Sequence, residues 1–422
     1  MHLSRRVQAL KPSSTVAVMN KAAALAREGV PVISFAAGEP DFDTPKVIKD
    51  AAKAALDAGQ TKYMPTPGDA ATRAVIADKL SRENGIPNCT ADHVVISAGG
   101  KNSLYLVFQA LLDRPIAGEP PCEVLLPVPA WVSYAPMADM CGARIVELPT
   151  SAADGFKITP AQLQAAITPR SRLLVLNSPG NPTAAMYTPD DLRALAAVVE
   201  RAAATVAPDL VIVSDEIYEK IIYGGPDLSA QTPHCSIGSI PGVAERTVTV
   251  NGLSKAFAMT GWRVGYAAGS GDFGRTLASG LIKLQGQMTT CISAFIYPAI
   301  RAALTQCAPD VEHMRRAFAQ RAHLIHDLIS RIPETPCSRP VGAFYLFPDV
   351  SAHLGKSTPR GTRLDSPARF AEALLDEHRV ALVPGEDFGG CGDRHVRLSF
   401  ACSEPHIRDG MSRLGTFITS LK

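Results

Sequence analysis

The sequence predicts an α/β protein, with a large domain on a mainly parallel seven-stranded sheet and a smaller α+β domain after it. Three observations predict it. Seven strand-length runs, rich in Val, Ile and Leu, alternate with helical stretches between residues 94 and 268. Most of these runs are apolar without interruption, the pattern of strands covered by helices on both faces. Near residue 310 the texture changes to a long, arginine-rich amphipathic helix followed by shorter mixed elements.

In chain order, Val94–Ser97 is the first strand and runs into Ala98-Gly99-Gly100, and residues 102–112 have helical periodicity. Strands follow at 123–127, 143–148 and 172–177, then an alanine-rich helix at 189–204. The run LVIVS at 210–214 is a buried strand ending at Asp215, and two further strands fall at 246–250 and 264–268. The C-terminal part holds a helix at 311–332, a short run at 343–348 and a polar loop at 353–365. A helix at 367–377, strands at 380–383 and 396–399, and a last helix from Glu404 complete it. Residues 355–366 (GKSTPRGTRLDS) read as an exposed insertion. The expected division is an N-terminal segment 1–45 joined to the small domain, a large domain 46–310 and a small domain 311–422.

Composition excludes several classes. With 422 residues, 46% hydrophobic and 19% charged, the chain can bury a large core and does not resemble a disordered protein. A net charge of +2 gives no electrostatic argument for nucleic acid or an anionic membrane. The N-terminus is polar and basic with no apolar run behind it, so neither a signal peptide nor a membrane span is expected and the expected location is cytoplasmic. The nine cysteines are scattered, odd in number and free of C-x-x-C pairs. They read as free, mostly buried thiols, and no metal site is expected.

The residues that carry chemistry lie beyond strand ends, where open α/β sheets bind ligands. Asp215 closes an apolar strand, and a carboxylate there needs a cation such as the protonated ring nitrogen of a cofactor. Tyr218, three residues on, can donate to a phenolic oxygen. Lys255 sits in a small loop after a strand, where burial favours the free amine and hence a nucleophile. Arg263 has the shape to grip a phosphate, and Gly99-Gly100-Lys101 can offer backbone N–H groups to the same anion. Asn181 stands between Pro179 and Pro182 in a stiff loop. Arg397, among apolar neighbours on a late strand, needs an anionic partner such as a substrate carboxylate. Taken singly, each has a plainer reading: a helix-capping Asp with a packing Tyr, a solvated Lys, an ordinary strand-to-helix turn, an Asn-Pro turn, an edge-strand Arg.

Taken together and in order, they resemble the fold-type-I enzymes that use pyridoxal 5'-phosphate (PLP). More closely, the chain is similar to class I aminotransferases of the bacterial aspartate aminotransferase subgroup, some of which accept prephenate. The resemblance runs over nearly the whole length. It includes Leu3-Ser4-Arg5-Arg6-Val7, Lys11-Pro12-Ser13, Gly38-Glu39-Pro40-Asp41, Thr61-Lys62-Tyr63, Trp131-Val132-Ser133-Tyr134, Ser214-Asp215-Glu216-Ile217-Tyr218 and Lys255-Ala256-Phe257-Ala258-Met259-Thr260-Gly261-Trp262-Arg263. It implies Lys255 as the Schiff-base lysine, Asp215 on the pyridine nitrogen, Asn181 and Tyr218 on the phenolic oxygen and Trp131 stacked on the ring. It places Gly100, Lys101 and Arg263 around the phosphate and sends Tyr63 to the phosphate of a neighbouring subunit, implying a homodimer. Gly38 and Arg397 would hold the substrate, Arg397 by its α-carboxylate. Lys101, with Lys11 and Thr15 of a closing N-terminal segment, would take the second carboxylate of aspartate or glutamate.

The implied reaction is a ping-pong transfer of an amino group to a 2-oxo acid such as 2-oxoglutarate. Prephenate is an alternative acceptor, and a PLP-dependent lyase of the same fold is the rival chemistry. A ligand-binding DNA regulator of that fold would need a basic module that the sequence lacks. Three positions depart from the usual wording: Ala184 after Asn181-Pro182-Thr183 where the family has Gly, Asn102 after Gly100-Lys101 where it has Gln, and 67–73, which lacks the common Glu-Leu-Arg.

Overall fold

The structure, a computed structural model, describes residues 2–4, 7–8, 10, 14–116, 118–224 and 233–422, with only the backbone of Ser14 and Thr15. Twelve strands are formed among them. They are β1 (Ile33–Ser34), β2 (Val94–Ser97), β3 (Glu123–Val128), β4 (Arg144–Pro149), β5 (Ser171–Asn177), β6 (Val211–Asp215), β7 (Thr247–Gly252), β8 (Gly265–Ala268), β9 (Tyr345–Leu346), β10 (Val380–Ala381), β11 (Val383–Pro384) and β12 (Val396–Ser399).

Seven make one sheet in the order β2-β8-β7-β6-β5-β3-β4. All its pairings are parallel except those of β8, which runs antiparallel to both neighbours. The apolar strings arise because alternate residues feed opposite cores. Val124, Leu126, Leu173, Val175, Val211 and Val213 face one core, with Leu104, Leu106 and Leu277 from the helices Gly100–Leu111 and Gly271–Gly286. Leu125, Leu174, Leu176 and Ile212 face the other, under Leu192, Leu195 and Val199 of the helix Pro189–Thr205. That helix starts where its sequence dictates. Thr188 accepts from the Asp191 N–H at 3.2 Å, Asp191 accepts from the Thr188 N–H at 2.8 Å, and Pro189 fills the first turn. Such a capping box contributes about 1 kcal/mol.

A separate core lies in the C-terminal part, around Phe318, Phe344, Phe370, Phe400 and Phe417. Its sheets are β11-β12-β9, antiparallel, and β1-β10, parallel. The N-terminal segment is tied in by β1, by Phe35, whose N–H donates to Ala381 at 2.8 Å, and by the Ser399 N–H, which donates to the Phe35 carbonyl at 2.8 Å.

Four expectations are corrected. The run 380–383 is two strands, because Val380–Ala381 pairs with β1 while Val383–Pro384 turns to pair with β12. The long helix spans Ala308–Ile329, starting earlier because Pro309 suits a first turn. The stretch 355–366 is exposed, as expected, at Pro359, Arg360 and Gly361 but not throughout: Leu364 is fully buried, Thr358 donates to Glu377 at 2.8 Å, and Ser357 and Lys422 exchange backbone hydrogen bonds. Of the nine free cysteines only Cys141 and Cys307 are fully buried, and the rest are half-buried. Among the described residues no helix is long and apolar enough to cross a membrane.

Candidate active site

The parallel strands end in register, so their carboxyl ends meet. Asn177 on β5 lies opposite Asp215 on β6, and Asp215 lies opposite Val250 on β7. The antiparallel β8 begins at that same edge, with Gly265 opposite both Ser97 and Gly252. Its direction explains how Arg263, two residues before Gly265, reaches the ends of strands that run the other way. Here a cavity of about 350 Å³ opens, lined by Gly38, Gly100, Lys101, Trp131, Asn181, Asp215, Tyr218, Lys255, Arg263 and Arg397 among others. Sequence reasoning named all ten, from seven separate segments of the chain.

Asp215 is buried and accepts from the Tyr134 hydroxyl at 2.7 Å and the Ile217 N–H at 3.3 Å. No Lys or Arg pairs with it among the described residues. Burial outweighs these hydrogen bonds and pushes its carboxyl up to about 6. Lys255 donates to the Gly38 carbonyl at 2.5 Å. Burial pulls its ammonium down to about 8, against the opposing charge of Glu39 and with help from Arg397 and Arg263. Two groups with ordinary values more than six units apart are thus brought toward neutrality in one cavity.

Arg397 is 3% exposed. It donates to Asn181 Oδ1 at 3.1 Å and the Ala36 carbonyl at 2.9 Å, and its Nε has no partner. The guanidinium lies 4.8 Å from the Tyr345 ring centre and 5.3 Å from that of Phe388. No carboxylate pairs with it among the described residues, so a buried cation is left short of an anion. Asn181 is held by its own N–H, which donates to Asn177 Oδ1 at 2.9 Å, and Asn177 Nδ2 donates to the Asp215 carbonyl at 3.0 Å.

At the opposite end, Arg263 donates to the Thr260 carbonyl at 2.8 Å and lies across Gly99. A Cβ on Gly99, whose φ is +96°, would sit 2.5 Å from Arg263 Nη2. The glycine therefore leaves a cradle formed by a guanidinium and the first N–H groups of the helix Gly100–Leu111. Lys101 is exposed at the rim, its Nζ 4.9 Å from the Trp131 ring centre. Burial of its stem and the charge of Arg263 lower its ammonium below the ordinary value. Trp131 stands edge-on to Tyr134, ring centres 5.2 Å apart.

The candidates are not all gathered. Tyr63 is 87% exposed and does not line the cavity. Lys11 lies outside the described residues, and the side chain of Thr15 does also, although its backbone opens the helix Ser14–Arg27. Sequence reasoning gave no role to Tyr134, Asn177 or Tyr345, which orient Asp215, Asn181 and Tyr218. Tyr218 meets the Tyr345 hydroxyl at 2.7 Å. Tyr134 stood within the resembling segment; Tyr345 had no local signal at all.

Comparison with known proteins decides the family. The model of the family "Aminotransferase class I and II" matches residues 30–414. This chain belongs to that family.

The aminotransferase is 40% identical to the aspartate aminotransferase of Geobacillus stearothermophilus, over 99% of each chain. It is 42% identical to the aspartate/prephenate aminotransferase of Thermus thermophilus, over 97% of each. The solved structure of the aspartate aminotransferase from Rhizobium meliloti superposes with a TM-score of 0.91 at 35% identity, covering all of both chains. This aminotransferase keeps the α/β fold of these relatives, and its buried acid, amine and guanidinium share the cavity at the sheet's carboxyl edge.

Proposed function

We propose that this aminotransferase uses PLP to move the amino group of L-aspartate or L-glutamate to a 2-oxo acid such as 2-oxoglutarate. The observation that carries the reading is Arg397, a buried guanidinium with an unpartnered Nε and no carboxylate of its own, in the same cavity as Lys255 and Asp215. A fork of this kind suits the α-carboxylate of an amino acid.

The residues present fit the cofactor. The Gly99 cradle with Arg263 suits its phosphate, Asp215 suits its ring nitrogen, and Tyr218 and Asn181 suit its phenolic oxygen. When bound, PLP supplies an electron sink for negative charge at the substrate carbon. Asp215, short of a cation, gains one from a protonated ring and keeps that proton in place. Lys255, with its ammonium near 8, supplies the free amine that can attack a carbonyl and carry a proton. Gly38 holds that amine through its carbonyl. Arg397 would fix the substrate's carboxylate, and Trp131, which lines the same cavity, would help to hold the cofactor's ring. Lys101 at the rim, with Lys11 and Thr15, takes the distal carboxylate, and the pair of Lys101 and Arg397 favours a transaminase over a lyase.

Prephenate as acceptor has one observation in its favour. Lys101, Trp131 and Arg263 are shared with a wider groove of about 1410 Å³ that also carries Met137 and Met140, room for a ring-bearing dicarboxylate. The assembly is a homodimer, in which the exposed Tyr63 reaches the phosphate of the neighbouring subunit, and the location is cytoplasmic. The chain divides at 1–45, 46–310 and 311–422, and the pairing of β1 with β10 supports joining the first segment to the last.

The test is a spectral titration of the PLP-loaded protein. L-aspartate and L-glutamate should each bleach its visible absorbance, and 2-oxoglutarate or oxaloacetate should restore it; prephenate is then tried as the restoring acceptor. Bleaching by neither amino acid would sink the dicarboxylate reading, and pyruvate or ammonia released without an acceptor would favour the lyase.

A further inference from the structure

Tyr345 lies where the parts of the site converge. It belongs to β9, where it pairs with Ser399 of β12, and Arg397 is two residues from Ser399 on the same strand face. The register thus makes Tyr345 and Arg397 diagonal neighbours, and the guanidinium carbon lies 4.8 Å from the Tyr345 ring centre. The ring also stands at 86° to that of Tyr218, centres 5.8 Å apart, with the two hydroxyls 2.7 Å from each other. On its third side the Tyr345 hydroxyl faces Gly38, where an added Cβ would come within 2.7 Å. The Gly38 carbonyl is the group that receives Lys255. One buried phenol therefore touches the cofactor-facing tyrosine, the carboxylate fork and the residue that holds the amine.

Two hydroxyls at hydrogen-bond distance share one proton between them, and either can be the donor. An anionic oxygen in the cavity accepts from Tyr218 and so selects the arrangement in which Tyr345 donates to Tyr218. Hydrogen bonds in such a chain strengthen one another in a buried setting.

We propose that Tyr345 is a positioning residue. Its hydroxyl donates to Tyr218 and frees the Tyr218 proton for an anionic acceptor in the cavity, while its ring fixes the plane of Arg397. The inference rests on the PLP reading above.

The experiment compares Tyr345→Phe, Tyr345→Leu, Tyr218→Phe and the double Tyr218→Phe/Tyr345→Phe protein. Three readouts are taken: PLP dissociation from the loaded protein, the pH midpoint of its visible absorbance, and the kcat and KM for aspartate. Tyr345→Phe keeps the ring and should lower kcat roughly 3- to 10-fold, the range for one lost hydrogen bond, with KM changed less than about 2-fold. It should also move the pH midpoint upward, since a weaker donor stabilises the anionic oxygen less. PLP affinity should fall by a factor similar to that in kcat. In the Tyr218→Phe background the same change should cost almost nothing, because its partner is gone. Tyr345→Leu should in addition raise KM, as the face beneath Arg397 is lost. Parental values for Tyr345→Phe in all three readouts, or an undiminished cost in the Tyr218→Phe background, would overturn the inference while leaving the cofactor reading intact. No visible absorbance on adding PLP to the unsubstituted protein overturns the cofactor reading and this inference with it.

Discussion

Asp215 and Glu216 are adjacent, both buried, and opposite in their surroundings. Asp215 faces the cavity with a phenol and a backbone N–H for company. Glu216 faces the interior and accepts from Ser214 at 2.8 Å, Ser236 at 2.6 Å and Asn84 at 2.8 Å. One turn further, Glu219 is paired with the buried Lys79, which also donates to Asn84 at 2.7 Å. Glu216, Glu219 and His234 lie close enough to share a cation, yet Lys79 already supplies that charge. The pKa directions record the contrast. Burial pushes Asp215 up to about 6, whereas Glu219, equally desolvated, is held down to about 2 by Lys79, His234 and Lys220. Buried charge that is fully partnered is held ionised by its surroundings and is costly to break, and buried charge left short of a partner in a cavity is a candidate to meet a ligand.

Substitutions can break that contrast. The largest effect is expected from Lys255→Ala, which should cut transamination by about 10⁴-fold or more while leaving the thermal midpoint nearly unchanged; retained turnover in stopped assays would refute the assignment. Lys79→Met should do the reverse, lowering stability to urea by about 3–5 kcal/mol with the kcat of the folded protein preserved, because Glu219 is left buried and unpaired. Arg397→Lys should raise the KM for aspartate roughly 100-fold, since a point charge replaces the fork, with a smaller change in kcat.

The two carboxylates also differ in sign with pH. The folded value of Glu219 is depressed, so its contribution is complete above about 4.5 and is lost as pH falls toward about 2. The folded value of Asp215 is raised, so the apoprotein loses stability as pH rises from 3.8 to about 6. Asp215→Asn should remove that loss, worth about 3 kcal/mol at most, in urea titrations across this window. The smallest effect concerns Ala184, where the family has glycine. It adopts a φ of +57°, and Ala184→Gly should stabilise the protein by about 1 kcal/mol, read as a higher urea midpoint at constant slope. An unchanged midpoint would mean that the backbone bears this conformation without cost.

Much of the site was legible because its chemistry follows the ends of apolar strands. Asp215 closes LVIVS, and Lys255 follows a second such run. Such strands declare themselves by composition, and the polar group stands at the strand's last residue or in the loop that follows. The core helices were legible for a similar reason, since Thr188, Pro189 and Asp191 encode a start that needs no distant partner. Tyr345 was not legible, because nothing around it is polar and its importance lies in contacts with residues 38, 218 and 397. The stitching of the exposed loop at 355–366 was not legible, because its polar residues find partners in Glu377 and Lys422, outside the loop itself.

By itself the sequence determined the α/β class, the run of strands and helices, and the polar residue types at the strand ends, since these depend on local periodicity, capping and composition. Only the tertiary structure decided which buried charges are satisfied. The antiparallel turn of β8 delivers Arg263 to the cavity, the pairing of β9 with β12 sets Tyr345 beside Arg397, and Lys79 reaches Glu219 from 140 residues away. A group's pKa and its freedom to take a ligand depend on the dielectric and the charges around it, and those surroundings exist only once distant segments have packed.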